Sequence, residues 1–381
     1  MSRFRSTLGH LALVAATLLS SACAAPSPEG GEEGSAAVSA DEISAAKERS
    51  LGQRLPTTTA LDSWYQSIED MEAGLSSGDA RYVLEPHRGG GTSAYVEVKR
   101  DGKTVGAFLP ENSATIPLGE VRAFQLARAL GVPNNVGAGV FFRMKGAGLA
   151  RLKTIMETER YRDAKEENRK KIVARLAGGP ISLLGVYKAW DGPRPIEYES
   201  LGRGGAPNGT INDKDPFVKL VSSSARRPTT ELVTLPGVAS GKAPEIDLAR
   251  QLSSVLLIDA LNGQWDRFSG GNMHAFVEGG VVRFVTLDNG GVTPSGTGLA
   301  ATYRNLVVTS WVTRYDREVA NRIIAMNALA SGSATEALGF HDAESLRDAL
   351  MMSSDREWAG FKTGLAAVAA RLAIATDASF F

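Results

Sequence analysis

The chain has 381 residues, of which 43% are hydrophobic, so most of it can bury a core. It carries 42 basic residues (Lys and Arg) and 42 acidic ones (Asp and Glu), and a net charge of zero argues against a nucleic-acid-binding protein. The single cysteine excludes an internal disulfide framework and a cysteine-rich zinc site, and the four histidines form no HExxH pair.

The N-terminal segment has the pattern of an export signal. Arg3 and Arg5 precede an apolar run at 11–19, and small residues follow at 20–25. We predict a signal peptide over 1–22, because the apolar run is too short to span a bilayer as a mature helix.

The only cysteine, Cys23, lies where a bacterial lipoprotein carries its acylated residue. The sequence before it resembles a lipobox, although Ser20 occupies the position where Leu is usual, and plain cleavage after Ala24 is the alternative. We expect a protein anchored in the cell envelope by a lipid at Cys23, on the periplasmic side or the cell surface, or else a secreted protein. Residues 23–57 read as a disordered tether, since they are rich in Ala, Ser, Gly and Glu.

The folded part begins near residue 58 with apolar residues at helical spacing over 61–75. The runs 94–98 and 104–108 then flank Asp101-Gly102, which predicts a hairpin. A two-residue turn there pairs Lys99 with Thr104 and places Leu109 opposite Ala94.

The remaining elements follow from hydrophobic periodicity and from helix stop signals such as Gly131. We predict helices at 119–130, 147–175 (highly charged, with a solvated face), 245–262 and within 303–375, strands at 136–144, 181–190, 275–278 and 281–287, and long loops within 191–243. A β-rich first half followed by a helix-rich second half predicts a two-lobed α+β protein, with lobes at 58–190 and 191–381.

The most informative segment runs from the end of the 245–262 helix to a tight turn. It presents, in order, Asp266, Asn272 and the sequence Asp288-Asn289-Gly290. Phosphoryl transfer needs one carboxylate to orient the attacking hydroxyl, and a second carboxylate and an amide oxygen to hold Mg²⁺ against the phosphates. Taken singly, Asn289-Gly290 is also an ordinary turn and Asp266-Arg267 a helix-end ion pair. The ordered set predicts a metal–nucleotide site.

This segment resembles the secretory-pathway atypical kinases related to the Golgi casein kinase and four-jointed, which carry an Asp-Arg catalytic loop and an Asp-Asn-Gly turn. In the first half, Gly90-Gly91-Thr92, Ala107-Phe108-Leu109-Pro110 and the helix containing Glu120 are similar to that family's glycine start, Phe-Lys-Pro strand and ion-pairing helix.

The resemblance implies a two-lobed, atypical protein-kinase-like fold with a β-rich N-lobe and a mostly helical C-lobe. It also implies phosphate transfer from ATP or another nucleotide to a protein or small-molecule hydroxyl, with Mg²⁺ or Mn²⁺. The implied residues are Asp266 as the catalytic residue, Asn272 and Asp288 as metal ligands, and Gly89, Gly90, Gly91 and Glu120 near the nucleotide phosphates.

Two positions depart from the family pattern. Leu109 stands where the family has the lysine that pairs with the helix glutamate, and Phe268 stands where His is usual. Lys99 is about 17 Å along the strand from the required place, at about 3.3 Å per residue, so Arg88 or Lys145 is the better substitute. A catalytically impaired pseudokinase that binds a nucleotide or a partner is therefore the alternative function.

Overall fold

The structure is a computed structural model. It describes residue 55 and residues 59–88, 93–110, 118–190, 197–200, 216–223, 225–234, 241–264, 267, 272–278, 280–290, 312–352 and 354–381. These residues form both helices and an antiparallel main sheet, so the α+β class is confirmed.

The helices that the structure describes are α1 Thr59–Ser77, α2 Leu118–Ala129, α3 Gly146–Thr158, α4 Asp163–Ala177, α5 Pro216–Val221, α6 Glu245–Asn262, α7 Arg317–Ala330, α8 Ala343–Ala349 and α9 Asp355–Ala373. The strands are β1 Tyr82–Pro86, β2 Val96–Arg100, β3 Lys103–Pro110, β4 Gly139–Lys145, β5 Ser182–Ala189, β6 Glu197–Ser200, β7 Leu232–Val233, β8 Ala243–Pro244, β9 Met273–Glu278 and β10 Val281–Thr286.

The main sheet has five strands in the order β1-β2-β3-β5-β4, and every neighbouring pair is antiparallel. Positive φ angles at Asp101 (50°) and Gly102 (75°) close the predicted two-residue hairpin. Lys99 pairs with Thr104, as expected. The placement of Leu109 opposite Ala94 is wrong, because an irregularity after Val98 shifts the register by one residue.

The charged stretch predicted as one helix over 147–175 is two helices. Helix α3 ends at Thr158, and Glu159 is extended (φ −71°, ψ 151°) before α4 begins at Asp163. The expectation of a solvated face is also wrong in part, since Lys165 and Arg169 are buried. Both donate hydrogen bonds to main-chain carbonyls of neighbouring segments, which satisfies polar groups that burial removes from water.

Helix α2 occupies a central position, with β4 on one side and α6 on another. Helix α6 begins with acidic residues in its first turn and ends at Gly263, whose φ of 72° stops the helix. The hairpin of β9 and β10 docks beside α2, because Thr286 forms a bridge with Val136 and accepts a 2.7 Å hydrogen bond from the amide of Gly137. The fold thus brings the end of β10 to the segment that precedes β4.

All described residues belong to one unit of mutual contacts, Ala40–Phe381. The division into lobes at 58–190 and 191–381 stays a prediction. The signal peptide at 1–22 and the tether at 23–57 lie outside the described residues, apart from Leu55. That residue is buried, and its carbonyl accepts a hydrogen bond from Arg128. Among the described helices, none is both long and apolar enough to cross a membrane.

Candidate active site

Helix α2 presents Glu120 to the face of the main sheet. Glu120 is only 1% exposed, and its main chain lies against Gly139 at the start of β4. A Cβ placed on Gly139 would lie 2.9 Å from the carbonyl carbon of Glu120 and 2.9 Å from its carbonyl oxygen. The absence of a side chain at Gly139 therefore lets the helix approach the sheet closely enough for Glu120 to reach the next strand.

The partner of Glu120 is Lys188, near the end of β5. Lys188 pairs with Ala107 on one side and Gly139 on the other, and its Nζ lies 2.8 Å from Oε1 of Glu120. Burial by itself lowers the pKa of Lys188, but the charges of Glu120 and Asp288 and the hydrogen bond to Glu120 outweigh burial and raise that pKa above its ordinary value. The charged form of the buried Lys188 is therefore favoured by its two carboxylate neighbours.

The substitutes expected from the sequence are not the partners of Glu120. Arg88 lies 3.1 Å from Glu159, and its side chain is 76% exposed. Lys145 is exposed at the other end of β4, six residues beyond Gly139, which is about 20 Å at about 3.3 Å per residue. Lys99, set aside from its distance, pairs with Glu85 at 2.6 Å. The cation missing at Leu109 is instead supplied from the neighbouring strand.

Asp288 follows β10 and faces the same place. Its Oδ1 lies 3.8 Å from Nζ of Lys188, while its side chain is 57% exposed. The φ of Asp288 is 56°, a left-handed conformation that is uncommon for a non-glycine residue and often found at functional sites. Gln264 donates a 2.7 Å hydrogen bond to the carbonyl of Asp288, which helps to hold that conformation. The carboxylate is thus both close to Lys188 and open to solvent.

Asn272 lies at the same end of the hairpin. Its carbonyl accepts hydrogen bonds from the amide of Leu287 at 3.0 Å and from Nη1 of Arg267 at 2.7 Å, so the fold brings the chain at Asn272 next to Asp288. Carboxylate and amide oxygens are the donors that Mg²⁺ and Mn²⁺ prefer, so the residue types at 272 and 288 suit such an ion. The part of the chain that the structure describes contains no group of three or more His, Cys, Asp or Glu residues that could hold a metal by itself.

A buried polar network supports this corner of the site. Arg267 is 1% exposed and makes two hydrogen bonds to the carboxylate of Asp259 in α6, at 2.8 and 2.9 Å. It also donates to Oδ1 of Asn289 at 2.6 Å. Asn289 in turn donates to Oε2 of Glu120 at 3.1 Å. Arg267 therefore forms an ion pair with Asp259, and the network extends through Asn289 to Glu120.

Aromatic and basic side chains contact one another on the two sides of the glycine run. His87, before the run, stacks on Tyr95, after it, with ring centroids 4.2 Å apart. Lys165 of α4 donates to the carbonyl of His87 at 2.9 Å, and its Nζ lies 5.5 Å from the ring of Tyr95. Burial, together with the nearby carboxylates of Asp288, Glu97 and Glu120, raises the pKa of the Tyr95 phenol. One lysine thus contacts the chain both before and after the glycine run.

The structure therefore brings together Glu120, Asn272 and Asp288 from the predicted set. Asp266, Cys23, Phe268 and the glycines Gly89, Gly90 and Gly91 lie outside the described residues. The sequence analysis missed two features: Lys188 as the partner of Glu120, and the hydrogen bonds by which Asn289 joins Glu120 to Arg267. Lys188 did carry a signal, because it is the one charged residue in the otherwise apolar or neutral strand 182–189.

Comparisons with known proteins give a structural likeness only. No protein-family model and no curated protein matches the sequence. Among solved structures, the chain is similar to hydra Fam20 with sugar, with a TM-score of 0.49 and 16% identity, over 88% of this chain and 98% of that one.

Proposed function

We propose that the protein is an exported atypical kinase that transfers phosphate from ATP or another nucleotide to a hydroxyl acceptor with the help of Mg²⁺ or Mn²⁺. The observation that carries this proposal is the position of Lys188, paired with Glu120 at 2.8 Å and 3.8 Å from the solvent-open carboxylate of Asp288. A fixed cation beside a carboxylate that is free to bind a metal is the arrangement that holds and neutralises nucleotide phosphates.

Each residue then has a chemical task. Lys188 binds phosphate oxygens while Glu120 fixes its direction, and Asp288 and Asn272 are the oxygen ligands of the metal. A bound divalent cation would neutralise charge on the transferring phosphate. Asp266, which precedes Arg267 in the sequence, would orient the acceptor hydroxyl, and Gly89, Gly90 and Gly91 would bring main-chain N–H groups to the phosphates.

The alternative function is a pseudokinase that binds a nucleotide or a partner in the envelope without turnover. The departure at Leu109 favours it, whereas the ion pair of Lys188 with Glu120 favours an active site, because the missing charge is replaced. Nucleotide binding without phosphate transfer would select the pseudokinase.

Export and anchoring follow from the sequence alone. A signal peptide at 1–22 and a lipid at Cys23 place the protein in the cell envelope, on the periplasmic side or at the surface, and cleavage after Ala24 releases it instead. The acceptor is a protein or a small hydroxyl compound. Globomycin sensitivity of processing, and mass spectrometry of the mature N-terminus, distinguish the lipid anchor from plain export.

The test of the function uses the full-length chain purified in detergent. We expect Mg-ATP or Mn-ATP to raise the melting temperature, and labelled phosphate to appear on acceptors from a panel of proteins and small hydroxyl compounds. Asp288→Asn and Lys188→Arg should lower transfer at least tenfold, while the exposed Lys170→Arg should not. Asp288→Asn changes a half-exposed side chain, so loss of folding does not confuse the result. Equal transfer in Asp288→Asn and in the unchanged protein would reject the assignment.

A further inference from the structure

Asn289, the middle residue of the Asp-Asn-Gly turn, connects two elements that meet in the site. Its amide nitrogen donates to Oε2 of Glu120 at 3.1 Å, and its amide oxygen accepts from Arg267 at 2.6 Å. The other oxygen of Glu120 accepts from Lys188 at 2.8 Å. Both carboxylate oxygens of Glu120 are therefore occupied, one by the cation and one by Asn289.

These contacts form one buried chain. Asp259, Arg267, Asn289 and Glu120 are each 1–2% exposed, and each polar group is satisfied by the next one. If α2 moved away from the sheet, the carboxylate of Glu120, the amide of Asn289 and the ammonium group of Lys188 would lose partners, which is unfavourable for buried polar groups. The helix that carries Glu120 is thus tied to the turn that carries Asp288.

We infer that Asn289 is a positioning residue that holds Glu120 against Lys188, so that the phosphate-binding cation and the Asp288 turn are assembled before any nucleotide or metal arrives. This inference rests on the proposed function for its consequence, since the ion pair matters only if Lys188 binds a ligand. An asparagine suits the position because it offers a donor to a carboxylate and an acceptor to a guanidinium at the same time.

An exchange of amide and carboxylate tests the inference. Asn289→Asp keeps the acceptor for Arg267, but it removes the donor and places a second carboxylate 3.1 Å from Glu120. The exchanged variant Asn289→Asp/Glu120→Gln restores one amide facing one carboxylate. The net charge of the pair becomes more negative by one unit in Asn289→Asp and is unchanged in the exchanged variant. The titratable and charged groups that face the pair stay the same in both variants, and they are Lys188, Asp288, Arg267, Asp259 and the phenol of Tyr95.

Asn135→Asp is the matched control. Asn135 is a buried asparagine that donates to the carbonyl of Phe284 at 2.9 Å and to Gln251 at 3.1 Å, in a structural position beside β10. Its change should lower the melting temperature and leave the Kd for Mg-ATP within twofold of the unchanged protein.

At constant pH, we expect Asn289→Asp to raise the Kd for Mg-ATP by about 10- to 100-fold, the cost of a lost hydrogen bond to a charged group. We expect the exchanged variant to recover at least tenfold in Kd and to melt at a higher temperature than Asn289→Asp. A Kd in folded Asn289→Asp within twofold of the unchanged protein, or an exchanged variant no better than Asn289→Asp in both measurements, would overturn the inference. If the unchanged protein binds no nucleotide, the proposed function fails. The melting temperatures then decide the inference. A melting temperature that is higher in the exchanged variant than in Asn289→Asp supports the coupling of Asn289 to Glu120, and one that is no higher overturns it.

Discussion

The main chain of Glu120 rests directly on Gly139, with no space for a methyl group between them. This contact sets the distance between α2 and the sheet, and Lys188 lies immediately across from Gly139 on β5. The ion pair of the site therefore depends on a glycine that takes no part in the chemistry.

Gly139→Ala should push α2 away from the sheet. We expect it to lower the free energy of unfolding by about 1–3 kcal/mol, the usual cost of forcing an extra methyl group into a packed interior, and to weaken Mg-ATP binding because Glu120 leaves Lys188. Gly178→Ala is the control, since a Cβ there would lie 3.4 Å from its nearest atom. Urea denaturation measures both variants. A neutral effect of Gly139→Ala would contradict the close approach.

A lysine at position 109 on β3 should partly replace Lys188 on β5. Leu109 pairs with Val186 while Ala107 pairs with Lys188, so positions 109 and 188 lie on one face of the sheet, about 7–8 Å apart. We expect Lys188→Leu to lower the free energy of unfolding by about 3–5 kcal/mol, because the buried carboxylate of Glu120 loses its cationic partner. Adding Leu109→Lys should recover part of that stability and part of the affinity for Mg-ATP.

Differential scanning calorimetry and nucleotide titration measure this pair of changes. Leu109→Lys alone, in the presence of Lys188, serves as the control for an additional buried charge and should not increase affinity. If the double variant is no more stable than Lys188→Leu, position 109 does not reach Glu120.

Lys165 should affect nucleotide binding through its contacts on the two sides of the glycine run. It contacts the carbonyl of His87 and the ring of Tyr95, on both sides of the glycine run. We expect Lys165→Met to raise the KM for the nucleotide several-fold with a small change in kcat, because the chain on the two sides of the glycine run loses the contacts that one lysine makes to both. Lys170→Met, on the exposed side of the same helix, is the control. Unchanged KM in Lys165→Met would contradict a role of these contacts in nucleotide binding.

The lowered pKa of Glu166 should be visible in the pH dependence of the free energy of unfolding. Hydrogen bonds from Arg169 lower the pKa of Glu166 to about 2, from an ordinary value of 4.5. A carboxyl with a lowered pKa stabilises the fold above its unfolded pKa, and this contribution disappears as the pH falls from about 4.5 to about 2. Glu166→Gln should therefore lower the free energy of unfolding by about 1–2 kcal/mol at pH 7 and change it little near pH 2.

Glu167→Gln is the control for that experiment, because Glu167 pairs with Lys170 at the same spacing but with side chains that are 66% and 58% exposed. We expect its effect to be small at every pH. Urea denaturation from pH 7 to pH 2 measures both variants. A constant difference between Glu166→Gln and the unchanged protein over this range would disprove the lowered pKa.

Much of the fold could be read from local patterns. Helix α6 occupies 245–262 as predicted, the hairpin at Asp101-Gly102 has the expected turn, and Gly131 has the positive φ (78°) of a helix-stop residue. Such features depend on periodicity and on backbone freedom of a few neighbouring residues. The break near Glu159 was missed because α3 and α4 share a charged, helix-favouring composition.

The sequence by itself determined the α+β class, the order of the elements and the candidate residues Glu120, Asn272 and Asp288, because these follow from local spacing and side-chain chemistry. Only the tertiary structure decided that Lys188 is the partner of Glu120 and that Asn289 joins it to Arg267. Sheet order places β5 between β3 and β4, and the close approach at Gly139 brings the helix down onto it. Contacts between residues 68 or 169 positions apart along the chain depend on packing, which no local pattern encodes.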